Sequence, residues 1–140
     1  MTILDLSEPA HASAARRLDS EPVVWLTTVS PSGQPQSTPV WFLWDGGEFL
    51  IYGAASGLKK RNIEADPRVS LHLDGNGRGG DNVIFEGTAT VDAAGPAADA
   101  VPAYIGKYRA SIDSNGWTPQ GFASDYPHRI RIRPTRARIW

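Results

Sequence analysis

Apolar and β-branched residues recur along this chain in short runs separated by turn-forming residues. The run at 68–74 alternates, with Val69, Leu71 and Leu73 on one side, and the run at 82–91 is the longest. Short runs bounded by Gly, Pro, Asn or Asp are typical of β-strands joined by hairpins. The predicted strands are 23–29, 36–44, 48–53, 68–74, 82–91, 129–133 and 136–140, the last two joined by a Pro-Thr turn.

Helical periodicity is confined to four short segments. The first is predicted over 8–19 with Ser7 as its N-cap, and the second ends before Pro67. The third is predicted over 99–111, and the fourth is a short helix over 118–126 that opens on Thr-Pro. About seven strands in hairpin order with few helices favour a small antiparallel barrel and argue against a doubly wound sheet. We therefore expect one mainly β domain over residues 1–140.

Composition and charge narrow the class of protein. The chain is 41% hydrophobic and 21% charged, with a net charge of −1 and no cysteine. A near-neutral balance argues against a nucleic-acid binder, and the absence of cysteine excludes disulfides, thiol catalysis and cysteine-ligated metals. The first twenty residues lack the pattern of a signal peptide, and no run is long enough to span a membrane. We expect a cytoplasmic protein with no membrane partner.

Three adjacent cations, Lys59, Lys60 and Arg61, stand at the predicted start of the second helix, after Ser56-Gly57. A helix N-terminus already carries unpaired N–H groups and partial positive charge, so the segment suits an anion. Three neighbouring residues spread over about 300° of a helix, so only one or two can face one ligand. A solvated surface helix is the competing interpretation.

A second feature is Pro39, which interrupts an apolar predicted strand. Proline cannot donate to a β-ladder, so it marks an edge, a bulge or a place where a ligand meets the backbone. The chain also has five tryptophans, whose flat rings suit a planar ligand, although packing explains most single tryptophans equally well. A basic helix start beside a broken apolar strand suggests a phosphorylated planar cofactor.

Other motif matches do not survive scrutiny. The stretch 75–80 fits G-x-G-x-x-G but leads into a strand rather than a helix, so we predict a hairpin loop. A calcium loop from Asp74 fails because Phe85 occupies the position of the bidentate acid. The three histidines lack metal-ligand spacing, and His72 is predicted to be a half-buried strand residue, with a ligand-facing role as the alternative.

Arginine alternates along the penultimate predicted strand, at Arg129, Arg131 and Arg133, so that all three share one face. A solvated face is the prediction for this ladder. An anion-facing groove is the alternative.

The order of motifs resembles the flavin and deazaflavin oxidoreductases that have the split β-barrel fold of pyridoxamine 5′-phosphate oxidase. The matching elements are VVWLTTVSPSGQPQSTPVWFLWDG, IYGAASGLKKRNIEADPRVSLHLDG and GGDNVIFEGTATV. The tail from AYIGKYRASID to RIRIRPTRARIW is similar to an actinobacterial branch that uses coenzyme F420 rather than FMN. The resemblance implies an antiparallel split barrel of six to seven strands with a few short helices, as a homodimer.

The resemblance also implies roles for single residues. The second strand would cradle the cofactor ring, the segment after the third strand would hold its phosphate, and a residue from the partner subunit would reach the ring. Residues of the C-terminal helices would line a substrate pocket or receive the acidic tail of the coenzyme. The implied residues are Ser37, Thr38, Pro39, Val40 and Trp41 for the ring; Ser56, Lys59, Lys60, Arg61 and Asn62 for the phosphate; Asn82 across the dimer; and Tyr104, Lys107, Tyr108 and Trp117 for the pocket.

The resemblance therefore implies an F420-dependent reductase that transfers hydride to a planar conjugated small molecule, with no metal. The candidate proton donors are Tyr104, Tyr108 and solvent water. The alternatives are an FMN-dependent oxidoreductase on the same scaffold and a non-catalytic module that binds flavin, haem or tetrapyrrole. Vitamin B6 oxidation is not expected, because the short chain shows no counterpart of that enzyme's C-terminal substrate-phosphate arginine motif.

Overall fold

The computed structural model describes residues 3–140 and shows seven antiparallel strands with four helices. The strands are β1 Val24–Val29, β2 Pro35–Val40, β3 Leu43–Asp45, β4 Glu48–Gly53, β5 Arg68–His72, β6 Val83–Val91 and β7 His128–Ile139. The helices are α1 Pro9–Ser20, α2 Leu58–Ala65, α3 Pro102–Ser114 and α4 Pro119–Asp125. All seven strands form one curled sheet in the order β2-β1-β5-β6-β7-β4-β3, which confirms the predicted mainly β class.

Strand β4 is buried on both faces and joins two separate cores. Phe49 and Ile51 belong to the core inside the curled sheet, whereas Leu50 and Tyr52 belong to a second core under α3 and α4. Side chains alternate across a strand, so a nearly continuous apolar run serves both cores at once. Each large apolar side chain buried this way stabilises the fold by about 1.5–3 kcal/mol.

The predicted strand 36–44 is two strands at opposite edges of the sheet. Pro39 stays in the ladder opposite Trp25, and the break comes later, at Trp41 and Phe42, where the chain crosses from β2 to β3. Phe42 has no ladder partner among residues 3–140. Its N–H donates to the Tyr108 hydroxyl at 2.7 Å, and its carbonyl lies 2.8 Å from the same hydroxyl. A side chain on α3 therefore replaces the ladder at this crossover.

The two strands predicted at 129–133 and 136–140 are one strand of twelve residues, β7. The predicted Pro-Thr turn is wrong, because Pro134 sits opposite Gly87 where the β6–β7 register shifts. A Cβ on Gly87 would lie 2.7 Å from the Arg133 carbonyl oxygen, so only glycine lets the strands approach there. The extra residue at this shift is Thr135, so the bulge lies in β7 itself, directly after the proline.

The predicted arginine ladder does share one face of β7, but it is not a solvated face. Arg129 is only 9% exposed and binds Asp92 and the Tyr52 hydroxyl, at 2.9 and 2.7 Å. Arg131 binds Glu48 at 2.8 Å, and Arg133 is exposed. The carboxylates of Asp92 and Glu48 neutralise the charges of Arg129 and Arg131, so these two positions do not form an anion-facing groove.

Among the predictions for helix caps, the loop and His72, some are confirmed and others are wrong. Thr118 caps α4, since its hydroxyl accepts the Gly121 N–H at 3.0 Å, and 75–80 is a loop of the β5–β6 hairpin, as predicted. The cap at Ser7 is wrong, because Glu8 precedes α1 and makes no side-chain cap. His72 lies in β5 as expected but is exposed rather than half-buried, stacked on Trp25.

Within residues 3–140, no helix has both the length and the apolar composition that crossing a bilayer requires. No three side chains of His, Asp or Glu converge as a metal site in that part of the chain either.

Candidate functional site

A cavity of about 360 Å³ opens between the end of β2, the end of β4, the start of α2 and the pair α3–α4. Aromatic rings form most of its wall, and a single cation lies among them. A cavity of this size that is largely apolar with a few polar groups is typical of small-molecule sites. The lining residues are Pro39, Val40, Trp41, Tyr52, Gly53, Ala54, Lys59, Tyr104, Trp117, Phe122 and Tyr126.

Lys59 is the cation of this cavity. It is half-buried, and among residues 3–140 its amine makes no hydrogen bond or ion pair. Burial lowers the pKa of Lys59 below its ordinary value, and no acid nearby offsets that effect. An unpaired, partly desolvated cation is costly unless an anion joins it, so this amine indicates where an anionic ligand group would bind.

Its neighbour Lys60 is in a different situation. The Lys60 amine pairs with Glu64 one turn along α2 at 3.0 Å, and Lys60 does not line the cavity. The structure therefore separates the two adjacent lysines, as the helix geometry requires.

The start of α2 is open to a ligand. Gly57 precedes the helix with φ of 74°, and no side chain caps the first turn. A residue with a Cβ at Gly57 would be strained at that φ and would approach His128 Nε2 to 3.6 Å. Ser56 is exposed, and its carbonyl accepts a hydrogen bond from Arg61 at 3.0 Å. Of the residues at this helix start, Lys59 lines the cavity, whereas Ser56 and Arg61 do not. The uncapped N–H groups beside them are of the kind that can bind an anion.

Asn62, also predicted to hold the phosphate, is only 1% exposed. Its amide nitrogen donates to Thr28 Oγ1 at 2.9 Å and to Gln36 Oε1 at 2.8 Å, which ties α2 to β1 and β2. Within the described chain, Asn62 positions the helix rather than lining the cavity.

The predicted ring-binding strand reaches the cavity only at its end. Pro39, Val40 and Trp41 line it, whereas Ser37 bonds to the Thr27 hydroxyl at 2.6 Å on an exposed position. Thr38, half-buried, does not line the cavity. The strand alternates along its length, so these positions present two different faces to their surroundings.

Trp41 is held by other aromatic rings. Its indole stacks on Tyr108 at 4.3 Å and on Phe122 at 5.3 Å between ring centroids, nearly parallel in both cases. Trp117 is tilted by 46° to Trp41 and is 45% exposed. The Trp117 ring is therefore the freer of the two to stack on a ligand.

Asn82 does not belong to this cavity. It exchanges backbone hydrogen bonds with Trp140 beside β6, and its amide donates to the Gly79 carbonyl at 2.7 Å. The predicted role of Asn82 concerns a partner subunit, so its position outside the cavity of its own chain fits that prediction without testing it.

The two candidate proton donors differ sharply. The Tyr108 hydroxyl lies within 2.8 Å of the Phe42 and Pro22 carbonyls, so it holds the backbone. The Tyr104 hydroxyl is buried and has no hydrogen-bond partner in the described chain. Burial raises the pKa of both phenols, which makes them poor acids.

Lys107, the other predicted pocket residue on α3, turns away from the cavity. Its amine donates to the Phe42 carbonyl at 2.8 Å and lies 3.6 Å from the centre of the Phe42 ring. Burial lowers the pKa of Lys107 to about 8. Lys107 supports the same crossover that Tyr108 holds.

Sequence reasoning did not place Tyr52, Phe122 and Tyr126 in the site. Tyr52 is anchored at the cavity wall because its hydroxyl donates to the Pro96 carbonyl at 2.9 Å and accepts from Arg129. The signal for Tyr52 was its place at the end of a strand just before the basic segment. Phe122 and Tyr126 gave no signal beyond being aromatic.

Solved structures share this fold. A conserved hypothetical protein from Mycobacterium tuberculosis is 28% identical with a TM-score of 0.68, over 100% of this chain and 88% of that one. An F420 reductase is 24% identical with a TM-score of 0.59, over 88% of this chain and 94% of that one. HutZ, a haem storage protein from Vibrio cholerae, is 14% identical with a TM-score of 0.64, over 99% and 95%.

The two structures below 25% identity show a shared fold alone. The sequence pattern that defines the pyridoxamine 5′-phosphate oxidase family, whose members in general are flavin-binding oxidoreductases, matches residues 10–140. Since that match spans nearly the whole of a chain with this antiparallel curled sheet, the protein belongs to the pyridoxamine 5′-phosphate oxidase family.

Proposed function

We propose that this protein is an F420-dependent oxidoreductase that reduces a planar conjugated small molecule. The observation that carries the proposal is Lys59, an unpaired cation at an uncapped helix start that opens into an aromatic-walled cavity. An anion-binding end beside flat rings suits a cofactor or ligand that combines a phosphate with a planar ring system.

The residues present fit such a cofactor. Lys59, Arg61 and Ser56, with the free N–H groups of α2, would hold the phosphate, and Asn62 keeps that helix against the sheet. The last two residues of β2, Pro39 and Val40, and Trp41 directly after the strand would lie along the ring. Bound there, the deazaflavin would supply the hydride chemistry, while the protein supplies binding and orientation.

The protein itself contributes little acid–base chemistry. Tyr108 is engaged with the backbone, and burial raises the pKa of Tyr104, so solvent is the proposed source of the proton. Protons can arrive from water because the cavity is open beside the half-exposed Trp117.

A homodimer is part of the proposal. Asn82 lies outside the cavity of its own chain, and the proposed site is completed when Asn82 of one subunit reaches the ring held by the other. Light scattering at low micromolar concentration should give twice the chain mass. A monomer would remove the role proposed for Asn82 but would not affect the anion-binding role proposed for Lys59 and the start of α2.

FMN is the competing cofactor, because the family in general binds flavins. The discriminating experiment titrates apo-protein with F420 and FMN separately, then mixes protein, reduced F420 and a panel of conjugated lactones and quinones in a stopped-flow instrument. Reoxidation of F420 that requires both protein and acceptor supports the proposal. Tighter FMN binding with oxygen-consuming turnover would overturn it in favour of a flavin oxidase.

A non-catalytic binding role is the second candidate, favoured by the similarity of the fold to a haem storage protein. It predicts tight binding of haem or a tetrapyrrole and no turnover of either flavin-type cofactor. Haem titration, followed by its absorption band, therefore belongs in the same experiment.

A further inference from the structure

The Tyr104 hydroxyl is the feature of this site that the proposed function leaves unexplained. Tyr104 is 0% exposed, and its hydroxyl has no acceptor among the described residues. A buried hydroxyl without a partner destabilises the fold, so native proteins rarely keep one without a reason. Phenylalanine would pack in the same place without that cost.

The surroundings of the hydroxyl explain why the protein itself offers no acceptor. The Tyr104 ring is enclosed by other rings, with centroids at 5.0 Å for Tyr52, 5.1 Å for Tyr108 and 5.9 Å for Phe122. The hydroxyls of Tyr52 and Tyr108 are already engaged elsewhere. Tyr104 is also one of the residues that line the cavity, so a ligand bound there would lie next to this residue.

The chemistry of this group is that of a neutral donor. Burial raises the pKa of Tyr104 above its ordinary value, so the phenol is neutral at neutral pH. A neutral O–H that cannot readily ionise donates a hydrogen bond without transferring its proton. Its complement is an uncharged oxygen acceptor, because the aromatic rings around Tyr104, unlike Lys59 elsewhere in the cavity, carry no charge to offset the desolvation of a carboxylate.

We propose that Tyr104 is a specificity-determining hydrogen-bond donor, and that the ligand of this cavity is a flat, largely apolar ring system with a carbonyl oxygen that accepts from Tyr104. The identification of that ligand as the reductase substrate rests on the proposed function, whereas the donor role does not. Tyr104 is thus a binding residue rather than the proton source.

The test uses the full chain without cofactor and two shape-matched probes, 1-indanone and indane, which differ in the carbonyl. Affinities come from titrations of amide NMR shifts for the wild-type protein and Tyr104→Phe. Wild-type protein should bind 1-indanone about three- to tenfold more tightly than Tyr104→Phe does, the range of one neutral hydrogen bond. Indane should bind the two proteins equally.

A second measurement separates a hydrogen bond from a change of packing. The carbonyl stretching band of 1-indanone, followed with a ¹³C-labelled carbonyl, should move to lower wavenumber when bound to wild-type protein and should not do so with Tyr104→Phe. The inference is overturned if both proteins bind 1-indanone equally, if neither binds it, or if the band shift persists in Tyr104→Phe.

These outcomes are independent of the reductase assay. A Tyr104-dependent affinity without F420 turnover keeps the donor role and removes the proposed function. F420 turnover with a carbonyl-independent affinity does the reverse.

Discussion

Tyr104 and Tyr108 lie one turn apart on α3, and the regions around them differ in whether their polar groups have hydrogen-bond partners. Around Tyr108, the polar groups of the β2–β3 crossover are matched: the hydroxyl holds the Phe42 backbone, and Lys107 donates to the same carbonyl. Around Tyr104, two polar groups are unsatisfied, because the Tyr104 hydroxyl and the Lys59 amine lack partners within the described chain.

This difference separates architecture from function. Polar groups that maintain a fold are satisfied within it, because a buried unpaired group destabilises the protein. Polar groups that remain unpaired on a cavity wall are free to be satisfied by a ligand. We therefore expect substitutions around Tyr108 to change stability and substitutions around Tyr104 and Lys59 to change binding.

The largest expected effect is on the matched side. Tyr108→Phe leaves the buried Phe42 N–H without an acceptor, and the free energy of unfolding should fall by about 1–3 kcal/mol. Urea unfolding measures this loss. Tyr126→Phe is the control, because the Tyr126 hydroxyl makes no hydrogen bond within residues 3–140, and its stability should stay within about 0.5 kcal/mol. Equal losses in both variants would contradict the role of the crossover.

Next comes the unpaired cation. Lys59→Ala should weaken binding of the cofactor about ten- to a hundredfold, because a charge-assisted contact to phosphate is lost. Lys60→Ala removes the same charge one residue along, where it pairs with Glu64, and should weaken binding by less than about threefold. Calorimetric titration measures the cofactor affinity of both variants. Equal losses of affinity would mean that Lys59 and Lys60 act only through their general positive charge.

The same contact has a pH dependence with a defined sign. Burial lowers the pKa of Lys59, so its charge is complete at low pH and is lost sooner than that of an ordinary lysine as pH rises. Anion affinity should therefore fall with rising alkaline pH in wild-type protein and less steeply in Lys59→Ala. A parallel fall in both proteins would assign the effect to other groups.

On the unmatched side, Tyr104→Phe should raise the free energy of unfolding of the ligand-free protein by about 1 kcal/mol, because an unsatisfied buried hydroxyl is removed. The result is opposite in sign to that of Tyr108→Phe, on the same helix and with the same substitution. Urea unfolding of the two variants side by side measures the contrast, and a loss of stability at Tyr104 would mean that its hydroxyl is already satisfied.

The smallest expected effect concerns Lys107. Its pKa is lowered to about 8 in the fold from 10.5, so between these values the unfolded chain binds more protons and stability rises with pH. Between pH 8 and pH 10, the melting temperature of the wild-type protein should therefore rise relative to that of Lys107→Met. A constant difference across that range would contradict the burial of the Lys107 amine.

Local patterning predicted the elements whose causes are local. The alternation at β5, the apolar run of β4 and the Thr118 cap each depend on neighbouring residues, and the structure confirms them. The break at Phe42 was misplaced because a hydroxyl 66 positions away creates it. The continuity of β7 was missed because its cause, Gly87, lies in another strand.

In the candidate site too, features with local causes could be predicted from the sequence, and features that depend on distant residues could not. The helix start after Gly57 and the place of Pro39 in an edge strand follow from residue types that have few structural uses. The difference between Lys59 and Lys60 depends on where Glu64 and the cavity lie around α2, and the isolation of Tyr104 depends on three other rings. Such pairings are properties of the packed molecule, and no local pattern contains them.

Edge strand β2 carries a consequence for self-association. Pro35 and Pro39 occupy alternate positions opposite Val29 and Trp25, and because proline lacks an N–H, these are positions whose nitrogen faces away from β1. Between them, Ser37 alone retains an outward donor on that edge. A strand from another molecule would find few hydrogen bonds to make there, so this edge is protected against the stacking that leads to fibrils. Two copies of the chain are therefore not expected to associate by pairing their β2 edges.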